Sequence, residues 1–270
     1  MLIIFISIHR KITSTLKTII FGAMKKENVS KDWFATWFDS PYYHLLYNNR
    51  DEHEASLFFE QLIQELAIPA GTKVLDLACG AGRHARAMAK IGLRVSACDL
   101  SANSIAEAIE HSDPSIRFFV HDMRQPLDDT YQCVFNLFTS FGYFDDQADN
   151  LKVLQQVNAA LESGGIFVLD FMNTSKVINT LKPTERIVRE HITFEITRRL
   201  EANSIVKTIS CSDQGEHFVF QERVQALFEK DFESMLTNAN FALVKKAGDY
   251  QLNAFDREHS DRLILICTKP

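Results

Sequence analysis

The stretch Val74-Leu75-Asp76-Leu77-Ala78-Cys79-Gly80-Ala81-Gly82-Arg83-His84 constrains this chain more than any other. A short apolar run, Val74 to Ala78, reads as a buried strand. It passes at once into a glycine-bearing turn and then into the helical run ARAMAK. Gly80 and Gly82 permit the tight turn and let a ligand lie directly against the backbone. The helix beyond presents free N–H groups and the positive end of its dipole.

The rest of the chain repeats the strand–helix theme. RVSACD (94–99) is a second strand, and Ser101 caps a helix running through Ile105 and Ile109. RFFVHD (117–122) and YQCVFNLF (131–138) are a third and a fourth strand. Leu151, Leu154, Val157 and Leu161 mark a helix that Gly164-Gly165 ends before a fifth strand, IFVLDF (166–171). This alternation predicts a mostly parallel sheet with helices on both faces. Two final strands, FALVKKA and RLILICT, close the chain. Upstream, Asp39-Ser40-Pro41 reads as a helix start and Asp51-x-x-Glu54 as a capping box. Ala55, Phe58, Leu62 and Leu66 follow at helical spacing until Pro69 and Gly71.

Between about Asn173 and Leu227 the period changes. Ile192, Phe194 and Ile196 alternate with Thr193, Glu195 and Thr197, and turns fall at 201–204 and 213–215. Period two with one apolar face predicts antiparallel strands half exposed to water.

Composition narrows the function classes. The chain has 270 residues, 46% hydrophobic and 24% charged, which argues a real core and not disorder. A net charge of −6 lacks the bulk attraction a nucleic-acid binder relies on. The five cysteines form no C-x-x-C pair and no His-rich metal spacing, so buried, reduced thiols and no metal site are expected. The apolar run MLIIFISI is well short of the ~20 residues needed to span a bilayer, and its basic residues follow it. Residues 1–23 are read as an extension outside the fold, with a weak interfacial anchor as the alternative.

The ligand follows from three acids around the glycine turn. Asp99 ends the second strand nineteen residues after Gly80, where a carboxylate can accept from two ribose hydroxyls. Turn and acid together imply an adenosine-type ligand. Gly80-x-Gly82-x-x-Ala85 also satisfies the loose dinucleotide pattern. Asp76, however, would repel a pyrophosphate and suits the ammonium of a methionine moiety. Asp122, ending the third strand, could accept from an adenine amino group.

At this point the sequence resembles the class I S-adenosylmethionine-dependent methyltransferases, nearest in pattern to small-molecule N-methyltransferases of the amino-sugar and glycine types. The residues that carry the resemblance are DLACGAG (76–82), CDLS (98–101), HDM (121–123), NLFTSFGYF (136–144) and SGGIFVLDF (163–171). It implies a Rossmann-like seven-stranded α/β sheet, mostly parallel with the last strand antiparallel, carrying an inserted antiparallel β subdomain. It implies S-adenosylmethionine as cofactor, held by Asp76, Ala78, Gly80, Gly82, Asp99, Leu100, Asp122, Met123 and Phe138. Asn240 stands where the family often has Gly before the sixth strand.

The resemblance further implies methyl transfer to a small-molecule acceptor at N or O, in the cytoplasm. No nucleic acid is expected as partner: after the fourth strand the chain reads Asn136-Leu137-Phe138-Thr139 in place of an Asn/Asp-Pro-Pro-aromatic motif. The loop beyond offers Phe141 and Tyr143 to the substrate, and no catalytic residue is singled out. A non-catalytic binding protein on a degenerate methyltransferase fold, and more remotely an NAD-dependent dehydrogenase, are the competing readings. The expected organisation is an extension (1–23), a helical cover (24–70), a cofactor-binding core (71–172 and 228–270) and a substrate cover (173–227). Pairing of those half-exposed strands across a homodimer is the alternative use of the insertion.

Overall fold

The structure is a computed structural model that describes residues 33–47 and 52–270. The expected extension at 1–23, the start of the helical cover and the capping residue Asp51 lie outside the described residues.

The described residues open with α1 (Trp33–Phe38) and α2 (Pro41–Leu46). Ser40 caps α2 by accepting the Tyr42 N–H at 3.2 Å, with Pro41 in the first turn, as its sequence dictates. The amphipathic α3 (Glu52–Leu66) buries Phe58, Phe59 and Leu62.

The core then alternates strand and helix: β1 (Lys73–Leu77), α4 (Arg83–Lys90), β2 (Arg94–Asp99), α5 (Ala102–Glu110), β3 (Arg117–Val120), β4 (Tyr131–Asn136), α6 (Gln147–Ala160) and β5 (Leu161–Met172). After an excursion come α8 (Glu229–Asn238), β10 (Ala242–Ala247) and β11 (Arg262–Thr268). The seven strands are ordered β10-β11-β5-β4-β1-β2-β3. β1 pairs in parallel with both β2 and β4, and β11 runs antiparallel to both β5 and β10. The inner strands are apolar on both faces because helices cover both: Leu75 packs with one buried cluster and Val74 with the other. All five cysteines are free and buried, and desolvation pushes the Cys133 and Cys267 thiols up to about 12. Asn240 takes φ +59°, so Asn fills the left-handed position otherwise suited to Gly.

The excursion comprises α7 (Thr174–Asn179) and a separate four-stranded antiparallel sheet of β6 (Thr184–Arg189), β7 (Ile192–Glu201), β8 (Ser204–Asp213) and β9 (Glu216–Gln225). Ile192, Phe194 and Ile196 are buried while Glu195 and Thr197 are exposed, as the alternation required. β6 carried no clear sequence signal. It is a short edge strand that exposes Thr184, Arg186 and Val188, so no buried stripe marks it.

Candidate active site

The chain order reverses between β1 and β4, and the carboxyl ends of those neighbouring strands form the switch point where open α/β sheets bind ligands. Four positions there are left-handed, and three of them are not glycine. Ala78 follows β1 at φ +64°, Gly80 has φ +54°, and Phe138 and Thr139 follow β4 at +61° and +63°. Each such non-glycine residue costs on the order of 1–3 kcal/mol and must be held by its surroundings.

Asp170 does the holding at β4. Its Oδ2 accepts the Phe138 N–H at 2.8 Å and its backbone carbonyl accepts the Thr139 N–H at 2.9 Å. Arg262 on β11 pairs with Asp170 Oδ1 at 2.7 Å and donates to Thr139 Oγ1 at 2.9 Å. Tyr250 donates to Asp170 Oδ2 at 3.2 Å.

Asp99 does the same at β1. Oδ2 accepts the Gly80 N–H at 2.8 Å and Oδ1 the Ser101 N–H at 2.9 Å. Burial raises its pKa, against the pull of those N–H groups and of His44. Asp76 lies one layer deeper, 1% exposed, with Oδ2 buried and unpartnered among the described residues. Desolvation, then the neighbouring Asp99 charge, push its pKa up to about 7, opposed by the Ala85 N–H and Arg83.

A cavity of about 690 Å³ opens above these strand ends. At one end it is walled by Ala78, Gly80, Asp99, Leu100, Met123 and Phe138. At the other it runs beneath α1 and α2 to Tyr143, Glu222 and Val224. Of the residues expected at the cofactor, Ala78, Gly80, Asp99, Leu100, Asp122, Met123 and Phe138 meet on this wall. Gly80 faces open space where a Cβ would stand. Gly82 does not face the cavity: a Cβ there would meet the Phe118 ring at 2.9 Å, so it serves helix–strand packing. Asp76 does not line the cavity either: it is buried behind the turn. Asp122 is engaged by Arg124, with Nη2 on Oδ2 at 2.6 Å and Nε on Oδ1 at 3.0 Å. Burial would raise the Asp122 pKa, but the Arg124 hydrogen bonds and charge outweigh it and hold it low.

Of the two residues expected at the substrate, Tyr143 lines the cavity and donates to the Thr139 carbonyl. Phe141 does not. It is fully buried against Phe232, at 5.8 Å between ring centroids, because the chain turns back into the core there. Sequence reasoning missed His44, Glu107, Arg83, Arg86 and Glu222, all on the cavity wall. Glu222 carried a readable signal: Phe218, Phe220, Glu222 and Val224 fall on one face of β9 by simple alternation.

Comparison with known proteins bears on this geometry. The family model described as "Methyltransferase domain" matches residues 74–165, which span the glycine turn, Asp99, Asp122 and the turn after β4. Over these residues the chain is a methyltransferase domain. A solved S-adenosylmethionine-dependent methyltransferase from Clostridium acetobutylicum ATCC 824 superposes with a TM-score of 0.71, at 20% identity, covering 88% of this chain and 98% of that one. An amino pentose methyltransferase from Micromonospora echinaspora, solved with S-adenosylmethionine bound, gives 0.63 at 18% identity, covering 83% and 93%. These likenesses establish the fold. A glycine/sarcosine N-methyltransferase from Halorhodospira halochloris is 26% identical over 139 residues, 49% of this chain and 50% of that one. In the methyltransferase domain described here, the residues fit S-adenosylmethionine. The unpartnered Asp76 oxygen suits a cation near the turn, Gly80 leaves room against the backbone, and the Asp99 carboxylate stands on the cavity wall beside the turn. Among the described residues, no helix is long and apolar enough to cross a membrane.

Proposed function

We propose that this protein transfers a methyl group from S-adenosylmethionine to a nitrogen or oxygen of a small-molecule acceptor. The observation that carries the reading is a cavity whose lining joins two chemically different parts: the Gly80–Asp99 turn, and aromatic residues of α1, α2 and the loop after β4 beside Glu222 of β9. When bound, the cofactor supplies a methyl already activated on a sulfonium, so positioning can provide most of the acceleration.

The chain's own residues do the positioning. Gly80 and Asp99 hold the adenosine and methionine parts against the ends of β1 and β2. The Asp76 charge favours the ammonium of the methionine part. The Phe138–Thr139 turn, fixed by Asp170 and Arg262, sets the floor between the two ends. The helices α1 and α2 and the sheet of β6 to β9 act as covers that exclude water from the acceptor end. Trp37 against Phe220 and Tyr42 against Phe218, at 4.6 and 4.7 Å between centroids, close that roof. In the displacement the acceptor's lone pair forms the new bond to the methyl carbon. A bound cofactor would supply the methyl and keep the carbon–sulfur electron pair as a neutral thioether, and the methylated acceptor would give up its proton to solvent once it leaves the covered end.

Titration calorimetry with S-adenosylhomocysteine and with NAD tests the cofactor, and transfer of labelled methyl to a panel of amines and alcohols tests the reaction. Micromolar affinity for S-adenosylhomocysteine, no response to NAD, and label in a small acceptor are expected. Cofactor affinity with no transfer to any acceptor would favour the non-catalytic alternative.

A further inference from the structure

We infer that Glu222 is an acceptor-binding residue, and that it selects small molecules presenting an amine or hydroxyl hydrogen on a ring with an apolar face while rejecting a carboxylate. The inference rests on the proposed methyl-transfer function and names the substrate class of the same cavity.

Glu222 is a carboxylate in an aromatic row. Phe218 and Phe220, on the same face of β9, pack on Tyr42 and Trp37. Glu222 itself is largely buried, at 16% side-chain exposure, and it lines the cavity. Its rotamer is fixed from both covers. Oε1 accepts the Trp37 Nε1–H at 2.8 Å and the Tyr47 hydroxyl at 2.7 Å, and Oε2 pairs with Lys207 at 3.2 Å. Lys207 also donates to the Tyr47 hydroxyl.

A carboxylate offers about four lone-pair sites. Three are taken, and the fourth lies on Oε2. An ionised carboxylate accepts only, so its partner must bring a donor N–H or O–H. Lys207 balances the charge, so a neutral amine or alcohol can bind here with its own lone pair still available for attack. The surrounding wall suits a ring: Phe34, Phe38, Tyr43, Tyr143 and Phe144 present aromatic surface to the same space.

Among the described residues an anionic acceptor finds no Lys or Arg counter-charge at this end, and the cover histidine on the wall, His44, is paired with Glu107 at 3.3 Å. The arginines on the cavity wall, Arg83 and Arg86, belong to α4 beside the glycine turn. Arg83 stacks over the Phe138 ring at 5.0 Å, and Arg86 donates to the Ala81 carbonyl at 2.7 Å. Among the described residues no Lys or Arg from the covers lines the cavity.

The test uses the full chain saturated with S-adenosylhomocysteine, with benzylamine, benzyl alcohol and benzoate as probes and ligand-observed NMR titration as readout. Benzylamine and benzyl alcohol are expected to bind at least tenfold more tightly than benzoate. Glu222→Gln should narrow the benzylamine–benzoate gap to threefold or less. Lys207→Met, which leaves the Glu222 charge unbalanced, should tighten benzylamine severalfold and leave benzyl alcohol unchanged. Benzoate binding as well as benzylamine to the unaltered protein overturns the inference, whether or not either variant folds. So does a Lys207→Met variant that shifts all three probes alike, which is the mark of a merely structural pair. The affinity for S-adenosylhomocysteine, measured separately, reports on the proposed function. Its loss in the unaltered protein would fail that reading, while the probe ranking, repeated without S-adenosylhomocysteine, still judges Glu222.

Discussion

Asp99 Oδ2 accepts the Gly80 N–H at 2.8 Å, while Oδ1 of the same carboxylate accepts the Ser101 N–H at 2.9 Å. One side chain thus ties the glycine turn after β1 to the start of α5. The acid is therefore part of the turn's architecture as well as of the proposed cofactor site.

Asp99→Asn replaces one acceptor oxygen with a donor that faces a backbone N–H. It should weaken S-adenosylhomocysteine by more than tenfold and destabilise the fold by about 1–3 kcal/mol. Asp122→Asn should weaken the cofactor less, because that carboxylate is committed to Arg124. Calorimetric dissociation constants and thermal melts of both variants check the order.

The two glycines of the turn should separate in their effects. Gly80→Ala adds a methyl to open cavity space at φ +54°, with a modest backbone cost of about 1 kcal/mol. Gly82→Ala drives a methyl to 2.9 Å from the Phe118 ring at φ +80°, which should cost about 2–4 kcal/mol. The larger fall in melting temperature is expected for Gly82→Ala, and the larger loss of cofactor affinity per unit of stability for Gly80→Ala.

The raised pKa of Asp76 makes a signed prediction for the cofactor-free protein. A carboxyl that titrates at 3.8 in the unfolded chain and near 7 when folded holds its proton longer in the native state. Its contribution to stability is complete below pH 3.8 and is lost as pH rises through about 7. Asp76→Asn should therefore stabilise the cofactor-free fold at pH 8, by at most about 4 kcal/mol, and flatten its stability between pH 4 and 7. Urea denaturation across that range reads the effect, and a loss of stability at pH 8 would contradict it.

Arg262→Met should cost about 3–5 kcal/mol, since it strands the buried Asp170 charge. Asp170→Asn, which keeps an acceptor for the Phe138 N–H, should cost less. The double variant should recover part of the loss, because removing both charges ends the desolvation penalty while Tyr250 and Phe138 keep a partner. A double-variant cycle by chemical denaturation measures the coupling.

The sequence by itself determined the parallel core and the cofactor edge. Those features are local or periodic: apolar runs bounded by glycine, and Asp99 placed at a strand end by the strand–helix count. It also marked the change to a half-exposed antiparallel sheet, because Ile192, Phe194 and Ile196 alternate strictly. It could not tell Gly80 from Gly82, since the difference is what each Cβ would meet, and Phe118 is brought to Gly82 only by the pairing of β2 with β3. Nor could it separate Tyr143 from Phe141, two residues apart on one loop, because the direction of that loop is set by Phe232 beneath it. Only tertiary structure decided the end of the cavity lined by Tyr47 and Glu222. Trp37 and Tyr47 lie more than a hundred and seventy residues from Glu222, and such pairings carry no local signal, because they exist only once the N-terminal helices have packed against β9.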